Sequence, residues 1–188
     1  MQKQRCPWVN KNPLMIKYHD EEWGTPVKED KKLFEYLVLD AFQAGLSWNT
    51  IINKRENFRK AFDNFSAKKI SKYTKKDIER LMQNKGIIRN KLKIESTITN
   101  AKQFLKLKET QSFSDYIWSF VNNKTINNKI KEIKDYPSKT KESDSMSKDL
   151  KEKGFKFIGS TICYAFMQAS GLVNDHSIDC FRKSNKLI

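Results

Sequence analysis

Four side chains that can bind a metal occupy the two ends of this 188-residue chain. Cys6 and His19 lie near the start. His176 and Cys180 lie near the end, with a spacing that would place both on one face of a helical turn. Two imidazoles and two thiolates form a closed tetrahedral set for Zn²⁺, which predicts a structural ion joining the chain ends. The alternative is that the cysteines are small buried apolar residues, as we expect for Cys163 in its apolar stretch.

One carboxylate is out of place on the helix predicted over residues 30–44. Asp40 borders the face that Leu33, Leu37 and Ala44 should bury. An unpaired buried carboxylate is costly and its pKa rises, so an acid in this position needs a partner. That partner is either a basic side chain of the protein or a bound ligand.

The same predicted helix ends in the string Gln43-Ala44-Gly45-Leu46-Ser47-Trp48, which combines a turn with two large apolar side chains. Gly45 permits the turn. An exposed Leu46 would be a suitable wedge for a DNA base stack, and Trp48 could stack on a planar ligand. The competing interpretation is that both side chains fill the core.

Residues 81–94 have the pattern of a helix, a glycine turn and a second helix. Backbone N–H groups at such a turn, just before a helix N-terminus, suit a phosphate group. The turn carries Gly86 and Ile88, and basic residues surround it: Lys85, Arg89, Lys91 and Lys93. The pattern resembles a helix-hairpin-helix DNA-binding element within residues 75–108, although many other helical hairpins look alike.

Aromatic residues cluster around His19 near the start of the chain. Trp8, Tyr18 and Trp23 lie there together with the acids Asp20 and Glu22. They predict either a small aromatic core or a binding site in which the neighbouring metal ligand holds Tyr18 rigidly.

Helical periodicity dominates the chain and predicts an all-α fold with little or no sheet, in one domain over residues 1–188. Asp30 is a plausible N-cap of the helix over 30–44, Thr74 and Asp77 form a capping box, and Ser160 or Thr161 caps a core helix ending at Ser170. Asn174 is expected to cap the last turn. Further helices are predicted over 48–62, from 91 onward and over 113–121, and 122–154 is expected to be a lysine-rich surface segment or surface helix.

The charge balance is 37 basic against 22 acidic residues, a net charge of +15, which favours a polyanionic partner such as nucleic acid. An excess of lysine can also serve only to keep a surface solvated, and only six of the basic residues are arginine. Three cysteines form no disulfide framework, and no stretch resembles a signal peptide or a membrane span. We therefore expect a cytoplasmic protein with no membrane partner.

Taken together, these segments resemble the type I 3-methyladenine DNA glycosylases, in order and over nearly the whole chain. The matching strings are Cys6-Pro7-Trp8-Val9, Tyr18-His19-Asp20-Glu21-Glu22-Trp23-Gly24, Gln43-Ala44-Gly45-Leu46-Ser47-Trp48, Lys54-Arg55-Glu56-Asn57-Phe58-Arg59, Gly86-Ile87-Ile88-Arg89, Trp118-Ser119-Phe120-Val121, Lys153-Gly154-Phe155-Lys156-Phe157, Thr161-Ile162-Cys163-Tyr164 and Gly171-Leu172-Val173-Asn174-Asp175-His176.

The resemblance implies a helix-hairpin-helix DNA glycosylase fold in which structural Zn²⁺ is held by Cys6, His19, His176 and Cys180. It implies that the base is held by Tyr18, Trp48 and Trp8. The catalytic acid falls on Asp40, where members of the family carry glutamate; the side chain here is shorter by one methylene, about 1.5 Å. The expected DNA contacts are Leu46, Gly45, Gly86, Ile88 and Arg89.

The implied function is base-excision repair, by hydrolysis of the N-glycosidic bond of 3-methyladenine in double-stranded DNA that contains alkylated bases. We expect the enzyme to be monofunctional, because no lysine stands out as a Schiff-base nucleophile for strand cleavage. We also expect a monomer with no obligate protein partner. One alternative is a lesion- or DNA-binding protein of the same fold, with excision weakened or altered because Asp40 replaces glutamate. Another is a zinc-stabilised basic scaffold that binds nucleic acid without chemistry.

Overall fold

Nine α-helices and one short parallel ladder form the part of the chain that the computed structural model describes, residues 3–183. The helices are α1 (Pro13–Glu21), α2 (Asp30–Gln43), α3 (Trp48–Ala61), α4 (Ala67–Ile70), α5 (Lys75–Gln83), α6 (Lys91–Leu107), α7 (Phe113–Ser119), α8 (Lys141–Glu152) and α9 (Ser160–Ala169). The strands are β1 (Ile126–Asn127) and β2 (Val173–Asn174), and 3₁₀ turns cover 63–65 and 133–135. The predicted all-α class is confirmed.

Helix α2 is the centre of the fold, because every residue from 33 to 42 is buried. It packs against α3, α6, α7 and α9, so apolar side chains surround it on all sides. Asp40 is therefore not at the border of a buried face, as its helical position predicted, but fully inside the protein at 2% exposure.

Two predicted helix starts are wrong by one residue. Glu29 is the N-cap of α2, and Asp30 instead accepts a hydrogen bond from the Ser114 backbone N–H at 2.8 Å. Gly159 is the N-cap of α9, where Ser160 Oγ donates to Asp144 rather than capping its own helix. Polar side chains near these helix starts thus bond to other elements, a choice that local sequence cannot reveal. The capping box of α5 is confirmed.

The lysine-rich segment 122–154 is more firmly anchored than a surface excursion. Its strand β1 pairs in parallel with β2, with Ile126 opposite Val173. Its helix α8 packs on α9 and buries Met146 and Leu150. No helix within residues 3–183 is long and apolar enough to cross a membrane.

The segment that follows β2 is not helical, so the helical turn predicted for His176 and Cys180 is wrong. Ser177 forms a bridge with Ile130, and the Cys180 backbone N–H donates to the Ser177 oxygen at 2.9 Å in a tight turn. Asn174 lies in β2 and does not cap a helix; its Oδ1 accepts instead from the His176 backbone N–H.

Candidate active site and metal-ligand cluster

A cavity of about 260 Å³ opens between α1, α2, α3 and α9. Pockets for drug-sized ligands are usually about 300–1,000 Å³, so this cavity matches a smaller planar molecule. Helix α2 contributes two polar side chains from its last turns, and α9 faces them across the cavity. The lining residues are Trp8, Tyr18, Trp23, Asp40, Gln43, Trp48, Tyr136, Pro137, Ala165 and Gln168.

Aromatic rings form one side of this cavity. The ring centroids of Tyr18 and Trp48 lie 5.0 Å apart, tilted by 43°. Trp8 contacts Trp23 edge to face at 4.8 Å. Tyr18 is buried, whereas Trp48 is half-buried at the mouth. The three residues predicted to hold the base are thus brought together, and their π faces favour a flat, electron-poor ligand.

Asp40 lies in this aromatic cavity without a protein partner. Its Oδ2 is buried and has no hydrogen-bond partner among the described residues. Burial raises the pKa of this carboxyl well above its ordinary value, and the charge of Arg55 opposes that rise only in part. Of the two interpretations that the sequence allows, the protein's own ion pair is therefore excluded within residues 3–183.

Two more buried polar atoms around the cavity lack hydrogen-bond partners among the described residues. They are the indole nitrogens of Trp8 and Trp48, whereas the buried Tyr136 hydroxyl interacts with the Cys6 thiol. Leaving a buried donor or acceptor unpaired costs about 1–3 kcal/mol, so such groups are normally rare. Their concentration here, together with Asp40, indicates a ligand whose polar edges would complete them.

Arg55 is held below the cavity by two carboxylates. Its terminal nitrogens donate to both oxygens of Glu22 at 2.8 and 2.9 Å, and its Nε donates to Glu35 at 2.7 Å. Tyr36 also donates to Glu22, at 2.7 Å. This network was not predicted from the sequence, although Glu22 and Arg55 both lie in strings that carry the family resemblance. Because Glu22 and Glu35 accept the hydrogen bonds of the Arg55 guanidinium, Arg55 forms no ion pair with Asp40.

The predicted wedge, Leu46, lies on the surface in the turn between α2 and α3. Its side chain is 42% exposed, so the interpretation as core is wrong for this residue. The Leu46 backbone N–H donates to the Gln43 oxygen at 2.6 Å, Ala44 has φ −46° and ψ 118°, and Gly45 has φ +79°. These angles define a type II β-turn, which requires a positive φ where Gly45 stands.

The predicted hairpin is present as α5, a turn over 84–90, and α6. A Cβ atom on Gly86 would lie 3.1 Å from Asn57 Cγ of α3, so glycine allows the turn to approach that helix. Arg89 is exposed and Ile88 is half-buried. Lys93 was expected to add surface charge here, but it is buried at 6% exposure.

The metal-ligand cluster lies beside the aromatic cavity. The ligand atoms of Cys6, His19 and Cys180 lie within 4.8 Å of one another, and all three residues are buried. The ring of His176 contacts that of His19 at 5.1 Å between centroids, but its ligand atom is not within that 4.8 Å group. The described chain ends meet here, where the Phe181 backbone N–H donates to the Gln4 oxygen at 2.9 Å.

The chemistry of this cluster fits Zn²⁺. His176 Nε2 is buried without a hydrogen-bond partner among the described residues, while its Nδ1 bonds Asn174 at 2.9 Å. His19 likewise bonds Asp20 through Nδ1, at 2.8 Å. His19 Nε2 faces the cluster, 3.4 Å from both the Cys6 backbone nitrogen and Cys180 Sγ. In both histidines an oxygen at Nδ1 fixes the ring, the arrangement that orients a metal-bound histidine. Cys163 is buried, as predicted, and belongs to the core.

Five lining residues were not assigned to the site from the sequence: Gln43, Tyr136, Pro137, Ala165 and Gln168. Gln43 and Gln168 lie on helices where only the packing of α2 against α9 turns them toward the cavity. Tyr136 and Pro137 lie inside the lysine-rich segment, where an aromatic residue followed by proline was a usable signal.

Comparison with known proteins agrees with this geometry. The family described as Methyladenine glycosylase matches residues 8–183. The DNA-3-methyladenine glycosylase of Haemophilus influenzae is 51% identical over 177 residues, which cover 94% of this chain and 96% of that protein. DNA-3-methyladenine glycosylase 1 of Escherichia coli is 48% identical over 178 residues, covering 94% and 95%.

Solved structures show the same relationship. The structure of 3-methyladenine DNA glycosylase I from Staphylococcus aureus, described as the structural basis of 3-methyladenine recognition, has a TM-score of 0.92 and 37% identity. It covers 95% of this chain, which spans 96% of that one. The resemblance found in the sequence is confirmed, and the chain belongs to the methyladenine glycosylase family, of the type I 3-methyladenine DNA glycosylases.

Proposed function

We propose that this protein excises 3-methyladenine from alkylated double-stranded DNA as a monofunctional, monomeric glycosylase. The observation that carries the proposal is the buried Asp40 carboxyl, which has no hydrogen-bond or ion-pair partner within residues 3–183 and lies in a cavity lined by aromatic rings. Relatives that are 51% and 48% identical over 94% of this chain are named DNA-3-methyladenine glycosylases.

Charge explains why this cavity would select the lesion. Methylation at N3 makes adenine a cation, and a cation binds well over aromatic faces such as those of Tyr18 and Trp48. The cation would also restore the ionised form of Asp40, because an opposite charge nearby lowers a carboxyl pKa. Neutral adenine offers no such compensation and would leave a costly buried group unpaired.

The reaction needs little acid catalysis, because the cationic base is already a good leaving group. The electron pair of the N-glycosidic bond departs with the base and neutralises it, leaving an oxocarbenium-like sugar. Water then adds to C1′ and releases a proton, which yields free 3-methyladenine and an abasic site. Among the described residues that line the cavity there is no lysine, which supports hydrolysis without a strand-cleaving step.

The DNA contacts follow from the positions of two surface elements. Leu46 is exposed and would fill the space left by the extruded nucleotide. The hairpin residues Ile88 and Arg89 would bind the phosphate backbone without reading sequence. Gly86 would shape this turn rather than donate to phosphate, because its backbone N–H already donates to Asn84 Oδ1 at 2.8 Å. The net charge of +15 favours this encounter.

Zn²⁺ would be held by Cys6, His19, His176 and Cys180. With four protein ligands it would have no open position for water or substrate, so its contribution is structural. It would fix the backbone that carries Trp8 and Tyr18, which flank the first two ligands in the sequence. The chemistry remains with the cavity residues.

A second candidate is a lesion-binding protein whose excision is weakened or altered. The observation that favours it is Asp40 itself, which is shorter than the glutamate of the family and lies deep in the core. Both candidates predict recognition of methylated DNA, but only the first predicts release of the base.

The test is to incubate the protein with methylated duplex DNA and to identify the released bases by chromatography. Free 3-methyladenine supports excision, whereas tight lesion binding without release supports the second candidate. Unmethylated duplex of the same sequence is the control and should release no adenine. Absence of both binding and release would contradict both candidates.

A further inference from the structure

The turn that presents Leu46 has a conformation that needs support. In a type II turn the central peptide is flipped relative to the commoner type I turn, by changes of about 150° or more in the ψ angle before that peptide and the φ angle after it. Here the central peptide is the one that joins Ala44 to Gly45. A Cβ atom at Gly45 would have no neighbour within 4 Å in the described part of the chain, so packing around Gly45 does not hold the turn.

Lys93 supplies that support from helix α6. Its Nζ donates to the Phe42 backbone oxygen at 2.8 Å and to the Ala44 backbone oxygen at 2.5 Å. The Ala44 oxygen belongs to the central peptide of the turn, so this bond fixes the orientation that distinguishes type II from type I. Lys93 is 6% exposed, and lysine is rarely buried so completely unless its ammonium group is paired, as it is here by the two backbone oxygens.

A second lysine also connects the region of the Leu46 turn to the hairpin, but here the lysine lies on the helix after the Leu46 turn and its acceptors lie in the hairpin. Lys54, on helix α3 just after the turn, donates through Nζ to the backbone oxygens of Lys85 and Gly86 in the hairpin, at 3.2 and 3.4 Å. The hairpin helix thus holds the turn, and the helix after the turn holds the hairpin. Both ammonium groups bond to backbone oxygens of the protein.

We propose that Lys93 is a positioning residue for base extrusion, which holds the Leu46 turn in register with the hairpin that grips the DNA backbone. The inference rests on the proposed excision of a base from duplex DNA. It adds that binding at the hairpin and insertion of Leu46 are one rigid event, because Lys93 and Lys54 join the two elements.

The test compares Lys93→Met with the parental protein in two assays. Single-turnover excision from duplex DNA should slow by about tenfold or more, the scale for losing hydrogen bonds to a charged group. Affinity for free 3-methyladenine, read from tryptophan fluorescence, should stay within about twofold, because no cavity residue is touched. Lys102→Met, on the exposed side of the same helix, removes an equal charge and should excise at the parental rate.

A double-mutant cycle with Leu46→Ala shows whether Lys93 acts through the turn. If it does, the combined variant should be no slower than the slower single variant. Rate losses that multiply, or a loss of free-base affinity equal to the loss of excision, would overturn the proposal. Gly45→Ala disturbs the same turn from the surface side, without replacing the buried lysine. Excision by Gly45→Ala at the parental rate would also overturn it, even if Lys93→Met fails to fold.

One readout separates this proposal from the proposed chemistry. A 2-aminopurine placed beside an abasic site brightens when Leu46 insertion unstacks it, whether or not a base is excised. Lys93→Met should lower this signal at saturating protein. An unchanged signal refutes the positioning role, whereas a parental protein that gives the signal but releases no base refutes excision alone.

Discussion

At the residue scale, Asp40 is the proposed acid of the cavity, and its burial also lowers the stability of the fold when the carboxyl is ionised. Burial raises the pKa of its carboxyl, so the folded protein binds this proton more tightly than the unfolded chain does. The contribution of this proton to the free energy of unfolding is fully present below the ordinary aspartate pKa. It is lost as pH rises through the raised pKa. A cationic base in the cavity would reverse this penalty, which links lesion binding to the stability of the core.

Replacing Asp40 by asparagine should therefore separate activity from stability. We expect Asp40→Asn to lower excision by about 10²-fold or more, the scale for removing one preorganised charge. In mildly alkaline buffer the variant should melt higher than the parental protein, by about 2–4 °C for each kcal/mol recovered. Excision assays and thermal unfolding across pH measure both effects.

Asp40→Glu is the matched control, because it keeps the carboxylate and restores the side-chain length of the family. It should retain excision. If Asp40→Asn excised at the parental rate, or if both variants lost activity equally, a charged group at this position would have no role in the reaction.

Some residues of the site were predictable because their chemistry conflicts with their place on a helix. Asp40 is such a residue. The turn before Trp48 was predictable for a different reason, because Gly45 permits a positive φ there. Tyr136 was missed because it belongs to an irregular loop, where periodicity gives no information about which way a side chain faces. Arg55 was missed because an arginine on a helix fits an exposed position as well as a buried one.

At the element scale, the Arg55 network fastens the end of α1 to α2 and α3. Burial alone would raise the pKa of Glu22, but the hydrogen bonds from Arg55 lower it from 4.5 to about 2. The stabilisation from this carboxylate is therefore present above pH 4.5 and is lost as pH falls toward 2. Since Tyr18 lies on α1 and Asp40 on α2, the network also sets the shape of the cavity.

Removing Arg55 from this network should destabilise the fold. Glu22 would keep Lys32 and Glu35 would keep Arg59 as ion-pair partners, but both carboxylates would lose their hydrogen bonds from the buried guanidinium. We therefore expect Arg55→Met to lower the free energy of unfolding by about 1.5–3 kcal/mol at neutral pH. The difference from the parental protein should shrink as pH falls toward 2. Denaturant titrations at several pH values measure it.

Arg89→Met is the control for this stability measurement, because Arg89 is exposed on the hairpin. It should change the free energy of unfolding by no more than about 0.5 kcal/mol. An Arg55→Met variant as stable as Arg89→Met would show that the buried ion pairs contribute nothing to the fold.

The helices of the core were predictable from apolar spacing, but contacts between distant segments were not. The start of α9 illustrates this, since Ser160 bonds to Asp144 on α8 rather than capping its own helix. The segment around His176 shows the same limit. Its residues approach the other ligands along an extended path fixed by pairing with β1 and Ile130, which no local pattern encodes.

At the scale of the whole molecule, the proposed metal site joins the segments that begin and end the described chain. We expect freshly purified protein to contain one zinc ion per chain, held by four ligands. Cys180→Ala should lose the metal and increase hydrogen exchange in both end segments. Metal analysis and exchange mass spectrometry provide the two measurements.

Cys163→Ala is the matched control for the metal, because Cys163 is a buried core cysteine outside the cluster. It should keep the full zinc content. Metal-free parental protein, or equal metal loss from both variants, would contradict the assignment of these ligands.

The meeting of Gln4 and Phe181 makes the described backbone almost a closed ring. Where such a ring is cut matters little to the packing inside it, because the core is formed by helices that all lie between these two residues. A circularly permuted protein, in which a short spacer joins the original ends and the new ends lie in the exposed connection 108–111, should therefore keep the same fold and activity. Its reading order would change while its architecture stayed the same.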